Sequence, residues 1–138
     1  MRPLRLVASC SALVALLGAR GGTTGRAHSA ARIVELTLTA APARLSLVPG
    51  KTTDVLAYNG QVPGPTLELR EGDHVVIHFH NHLSESTTVH WHGLHIPASA
   101  DGSPLNPVAA GGSRDYVFDL LPGAAGTYWY HPHPDARS

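Results

Sequence analysis

From Arg32 onward, short runs of β-favouring residues alternate with turn signals. The clearest run is His74–Asn81, where apolar residues occupy every second position and histidines occupy most positions between them. This period of two predicts a strand with one face in the core and the other toward solvent. Pairs such as Pro49-Gly50 and Asn59-Gly60 predict tight turns between neighbouring strands.

The same pattern predicts several further strands and no helix of useful length. The predicted strands are residues 33–38, 45–48, 53–58, 66–69, 74–81, 87–92, 115–120 and 127–130. Many short strands separated by turn residues are typical of an antiparallel sandwich or barrel. We therefore predict an all-β fold whose longest loop covers residues 94–112.

The N-terminus has the features of a secretory signal. Two arginines precede an apolar run at residues 6–17 that is too short to span a bilayer. We interpret residues 1–30 as a signal peptide and its tail, with cleavage near Ala19 or Ala30. The rest of the 138-residue chain has room for one domain. We expect a periplasmic or secreted protein with no membrane attachment once the signal is removed.

The cysteine content and the charge of the chain argue against a disulfide and against a nucleic-acid partner. The single cysteine, Cys10, lies inside the leader, so we expect no disulfide in the mature chain. After residue 30 there are six basic and ten acidic side chains, and Lys51 is the only lysine. Binding to a phosphate backbone requires clustered basic residues, so we expect no nucleic-acid partner. Histidine is unusually frequent: the chain has ten, and nine of them follow the leader.

Two His-x-His pairs are the candidate chemistry. His90 and His92 are two residues apart on a predicted strand, so both leave the same face, and Trp91 between them points toward the core. His131 and His133 repeat the arrangement at the end of a later strand, with a proline between them. Imidazoles without a nearby cysteine suit copper, zinc, iron or nickel, so the residue types alone do not identify the metal.

The alternative is that each pair is an accident of a histidine-rich exposed strand. For one pair the two interpretations are about equally good, but two pairs in aromatic surroundings favour a metal site. The remaining histidines could bind a surface metal, or they could form a solvated face opposite the apolar residues of the strand at 74–81. We favour the solvated face for His74, His78, His80, His82 and His95, and we assign His28 to the tail of the leader.

With these motifs the chain resembles the first cupredoxin domain of multicopper oxidases, the family of laccases and bacterial copper-tolerance oxidases. Within that family it looks most like bacterial exported laccase-type enzymes. Further motifs match the family in order and spacing: Tyr58-Asn59-Gly60, Pro63-Gly64-Pro65-Thr66, Arg70-Glu71-Gly72-Asp73, Asn81, Thr87-Thr88-Val89, Asp101-Gly102 and Gly126-Thr127-Tyr128-Trp129-Tyr130. The resemblance implies a cupredoxin-like Greek-key β-sandwich over residues 31–138.

The resemblance also implies roles for individual residues. Four His-x-His motifs build a trinuclear copper cluster in this family, and this chain carries the first two. His90 would ligate the type 2 copper, and His92, His131 and His133 would ligate the type 3 pair. Asp101 matches an acidic residue that assists proton delivery beside the cluster, although an aspartate before Gly102 is also ordinary turn chemistry.

The implied reaction passes electrons singly from a reducing substrate, through a type 1 copper, to the cluster, where dioxygen becomes water. No cysteine follows Cys10 and no third or fourth motif occurs, so this chain has no type 1 site. We expect a truncated domain that lacks its last strand and is inactive alone. The remaining cupredoxin domains would come in cis from a longer reading frame, or from a partner subunit. The alternative is a stand-alone exported copper-binding module without redox turnover.

Overall fold

The computed structural model describes residues 31–133 of the chain. The predicted signal peptide and tail at 1–30, and the chain end at 134–138, lie outside the described residues. Between residues 31 and 133 all regular structure is β and no helix is present, so the prediction of an all-β fold is confirmed. Nothing in this range is therefore a helix with the length and hydropathy needed to cross a bilayer.

The described residues form six strands in two sheets. They are β1 (Ile33–Val48), β2 (Lys51–Tyr58), β3 (His74–Asn81), β4 (His90–His92), β5 (Ser113–Asp119) and β6 (Trp129–His131). The larger sheet has the order β2-β1-β3-β5, and β4 pairs with β6 in a second, two-stranded sheet. Only β1 and β3 run parallel; the other neighbouring strands are antiparallel.

The long strand β1 differs from the prediction of two separate strands at 33–38 and 45–48. Its first half pairs with β3, from Ile33 opposite His74 to Ala40 opposite Asn81. Its second half pairs with β2, beginning with Ala40 opposite Tyr58. The strand continues through the middle because it changes partner at Ala40, so each half has a ladder of its own.

The predicted strand at 66–69 is absent, since this segment forms no ladder with other described residues. Leu67 and Leu69 instead pack, half-buried, against the hydrophobic core. The alternation of leucines here therefore reflects packing against the core and does not mark a paired strand. The prolines just before this segment have no N–H to donate to a ladder.

The core lies between the two sheets. Val75, Ile77 and Phe79 of β3 are fully buried, as the alternating pattern predicted. Trp91 of β4 is also buried, and its ring packs 5.7 Å from the ring of Phe118 on β5. The second sheet is thereby fixed against the first, and the residues on either side of Trp91 face away from the core.

One ion pair ties the beginning of β1 to the beginning of β3. The guanidinium of Arg32 donates to both carboxylate oxygens of Asp73, at 2.9 and 2.6 Å. The backbone amide of Arg70 donates to the same carboxylate at 2.7 Å. These hydrogen bonds, of which the one from Arg32 has the largest effect, lower the pKa of Asp73 to about 2. The carboxylate therefore stays ionised throughout the neutral range.

Candidate metal centre

The structure brings all four predicted histidines together. Antiparallel pairing of β4 with β6 sets His90 directly opposite His131. Ring nitrogens of His90, His92 and His131 all lie within 4.8 Å of one another. The His133 ring lies 4.7 Å from that of His90 and 5.2 Å from that of His131. Four imidazoles thus face a common space at one end of the second sheet.

Two of these rings direct nitrogens at each other. His92 Nδ1 lies 3.3 Å from His131 Nε2. His131 Nδ1 lies 2.9 Å from the carbonyl oxygen of Pro132, which can only accept, so Nδ1 carries the proton and Nε2 has a free lone pair. Two nitrogens that bind one metal, each at about 2.0 Å, are about 3 Å apart when they are adjacent ligands. The observed pair fits that requirement with little movement.

The ring of His90 is oriented by the loop at 94–112. Its Nδ1 lies 2.8 Å from the backbone oxygen of Asp101 and 3.3 Å from the carboxylate Oδ1 of the same residue. Since the backbone oxygen only accepts, Nδ1 carries the proton and Nε2 is the nitrogen available to a metal. Asp101, which the sequence singled out, therefore contacts a predicted ligand directly.

Gly102 permits the close approach of this loop to β4. Its φ is +75°, and a Cβ at this position would overlap the carbonyl oxygen of Val89 and lie 2.9 Å from the backbone nitrogen of His90. Any side chain here would displace the backbone that carries the first ligand. The sequence marked Gly102 only as a turn residue and did not reveal this packing requirement.

Two other contacts that sequence reasoning missed hold the ligand-bearing backbone. The hydroxyl of Tyr116, a fully buried residue of β5, accepts a hydrogen bond from the amide of Val89 at 3.0 Å. The buried hydroxyl of Thr88 accepts one from the amide of His133 at 3.1 Å. No local signal identifies Tyr116, whereas Thr88 stood in a recognised motif without an assigned role.

Trp129 covers one side of the centre. Its ring stacks on His131 at 4.2 Å and on His92 at 4.7 Å, with interplanar angles of 25° and 24°. The indole is nevertheless 57% exposed. It therefore limits the rotation of two predicted ligands while presenting an apolar edge outward.

The environment of His133 favours the neutral form of its imidazole. Burial, followed by the nearby His90 and His131, holds the pKa of His133 below its usual value. A metal requires an unprotonated ring nitrogen, so this environment prepares His133 for coordination. Imidazoles without a thiolate suit several metals, copper among them, and do not fit a blue-copper site.

His74, His78 and His80 lie on the outer face of the larger sheet, as predicted. His82 directly follows β3, and His95 is exposed in the loop after β4. His74 Nδ1 contacts Asp119 at 2.7 Å, and His78 Nδ1 contacts Asp115 at 2.9 Å. These pairs are solvent-accessible and lie opposite the buried face of β3. They do not join the four histidines of the candidate centre.

Comparison with known proteins gives consistent matches. The family model for multicopper oxidases matches residues 40–138. A multicopper oxidase of Staphylococcus aureus is 43% identical over 102 residues, covering 74% of this chain and 23% of the relative. One of Mycobacterium tuberculosis is 34% identical over 134 residues, covering 92% of this chain and 26% of the relative. The chain thus spans about a quarter of the length of these relatives.

Solved structures agree with the sequence matches. A multicopper oxidase from Campylobacter jejuni, described as a metallo-oxidase, superimposes with a TM-score of 0.70 at 47% identity, over 74% of this chain and 22% of that one. One from Pseudomonas thermotolerans gives 0.70 at 44% identity, over 75% and 25%. These neighbours confirm the expected cupredoxin-like, sheet-based fold.

Proposed function

The chain belongs to the multicopper oxidase family. We propose that residues 31–133 supply the ligands that the first domain contributes to the copper cluster of this family. The proposed ligands are His90, His92, His131 and His133. The observation that carries this proposal is the convergence of ring nitrogens from His90, His92 and His131 within 4.8 Å. Copper is the metal that the family implies, and a donor set of imidazoles is compatible with it.

The individual assignments follow the local contacts. His90 would ligate the type 2 copper through Nε2, because its Nδ1 is engaged with the backbone oxygen of Asp101. His92, His131 and His133 would ligate the type 3 pair. This division is supported by the 3.3 Å approach of His92 Nδ1 to His131 Nε2, which suits two ligands of one ion.

Asp101 is proposed to assist proton delivery as well as to orient His90. Its side chain is 40% exposed, and its carboxylate lies 3.3 Å from His90 Nδ1. A carboxylate in contact with both solvent and a ligand can accept a proton from water and hold it near the site. An aspartate that only shaped the turn before Gly102 would not need this contact.

For the whole protein we propose oxidation of a reducing substrate coupled to reduction of dioxygen to water. The bound cluster would supply the four-electron chemistry, while this chain orients ligands, moves a proton at Asp101 and shields one side with Trp129. The remaining ligands and the type 1 site would lie on further cupredoxin domains, in cis or on a partner subunit. The basic and apolar leader supports a periplasmic or secreted location.

A stand-alone copper-binding module is not favoured, because the relatives and structural neighbours described above are oxidases. The two functions share the same four ligands and differ only in turnover. In a protein that includes the further domains, His90→Ala would abolish oxygen consumption if the oxidase proposal holds. Continued oxygen consumption at the wild-type rate would overturn it.

Copper retention by the chain itself is the direct test of the ligands. We expect His90→Ala/His131→Ala to lose copper that the wild-type chain retains after dialysis, as measured by elemental analysis. His74→Ala/His78→Ala is the matched control, since it also removes two histidines but leaves the centre intact. Equal retention in the wild type and in the His90/His131 variant would refute the ligand assignment. A strong blue band from copper bound to thiolate would contradict the absence of a type 1 site.

A further inference from the structure

His80 and His82 stand on the outer face, on either side of a rigidly held residue. Asn81 between them is fully buried, and its side-chain amide donates to the carbonyl oxygens of Glu85 at 2.8 Å and Val108 at 3.0 Å. The backbone amide of His82 also donates to Ala40 at 2.8 Å, so the ladder continues past the end of β3. Because Asn81 points inward, both histidines project to the same, outer side.

These two histidines differ from the others on this face in their partners. His74 and His78 each contact an aspartate across the sheet. Within residues 31–133, neither His80 nor His82 makes a side-chain hydrogen bond. Their ring nitrogens are therefore available to a metal, because no carboxylate of the described residues is hydrogen-bonded to them.

The spacing of the two rings is close to that of a chelating pair. The ring centroids of His80 and His82 are 6.2 Å apart with an interplanar angle of 39°. In the candidate metal centre, the ring centroids of His92 and His131, which are proposed to bind one ion, are 5.5 Å apart. The exposed His82 ring is free to rotate, and a closure of about 1 Å brings the outer pair to the same spacing.

We propose that His80 and His82 form a second metal site, which binds divalent copper, on the outer face of the larger sheet. Two imidazoles supply the protein ligands and water completes the coordination. Among divalent first-row ions, copper binds nitrogen ligands most strongly, so Cu²⁺ is preferred to Zn²⁺ or Ni²⁺. This site is independent of the four-histidine centre and does not rest on the function proposed for it.

Calorimetric titration of the chain with copper sulfate tests the site. The wild-type chain should bind one more equivalent of Cu²⁺ than His82→Ala, or should bind that equivalent at least about tenfold more tightly. Removing even a residue that only supports a ligand typically weakens metal binding by about 10–100-fold. His80→Ala should act in the same way. His74→Ala is the matched control and should keep the wild-type isotherm. Identical isotherms for the wild type and both variants would overturn the proposal.

Paramagnetic broadening in the wild-type chain provides a readout that does not depend on a variant folding. Thr39 and Ser113 are the register partners of His80 on the two neighbouring strands. Cu²⁺ bound at this site should broaden their amide signals, and should do so equally in His90→Ala/His131→Ala, which lacks the other centre's ligands. Sharp Thr39 and Ser113 signals at saturating Cu²⁺ would overturn the site even if the centre at His90 binds copper.

Discussion

Replacing Gly102 by alanine tests whether the loop holds the first ligand in place. The residue has a φ of +75°, and the added methyl would overlap the carbonyl oxygen of Val89 and crowd the backbone nitrogen of His90. The substitution therefore combines a strained backbone with a steric clash. Both act on the chain segment that carries His90 into the metal centre.

Two terms determine the expected size of the effect. A non-glycine residue in the left-handed region costs about 1–2 kcal/mol. An extra methyl in a packed environment adds about 1–3 kcal/mol, since the atoms it meets are backbone and cannot rotate away. We expect Gly102→Ala to lower the free energy of unfolding by about 2–5 kcal/mol, a large share of the roughly 5–15 kcal/mol typical of a domain.

Gly111→Ala is the matched control for backbone strain. Gly111 has a similar φ of +69°, but a Cβ there would meet nothing within 4 Å. It should lose only about 1–2 kcal/mol and should bind copper like the wild type. Urea unfolding of the metal-free chains measures the first quantity, and copper titration measures the second.

The difference between the two alanine variants decides the question. Under conditions where both variants remain folded, Gly102→Ala should bind copper more weakly because the loop can no longer orient His90. If Gly102→Ala and Gly111→Ala had the same stability and the same copper affinity, the close approach of the loop to the strand would be refuted.

Three further substitutions address single contacts. Tyr116→Phe leaves the amide of Val89 without its partner and should cost about 1–3 kcal/mol in urea unfolding; an unchanged midpoint would contradict this role. Thr88→Val removes the acceptor for the amide of His133 and should weaken copper binding in a titration, whereas Thr88→Ser should restore it; a Ser variant as weak as the Val variant would refute the hydroxyl contact. The guanidinium beside Asp73 lowers the pKa of this carboxyl from 3.8 to about 2, so its stabilisation is complete above about pH 4 and is lost as the pH falls toward 2. Asp73→Asn should remove this part of the pH dependence of the urea midpoint, and parallel profiles for the two proteins would contradict it.

The fold was predictable where local pattern and pairing agree. Residues 74–81 alternate because one face of β3 is in the core, and the predicted bounds match the structure. The continuity of β1 could not be predicted, because it depends on a change of partner at Ala40 from β3 to β2. Local sequence carries no signal for such a long-range exchange.

The same distinction applies to the metal centre. The spacing of His90 and His92, and of His131 and His133, is a local feature that the sequence displays directly. The resemblance implied that these motifs meet at one cluster. The pairing between β4 and β6 that brings them together comes from the structure alone. The anchoring hydroxyl of Tyr116 comes from another strand, so only the three-dimensional arrangement reveals it.

The shortness of the second sheet explains why these anchors are needed. In the described residues β4 and β6 contain three residues each, and an isolated two-stranded ribbon is marginally stable in water. Contacts from outside this ribbon fix Val89, His90 and His133, while Trp91 locks the strand against the core. Ligand positions therefore depend on the packing of the larger sheet, so substitutions that loosen that packing should weaken metal binding without touching a histidine.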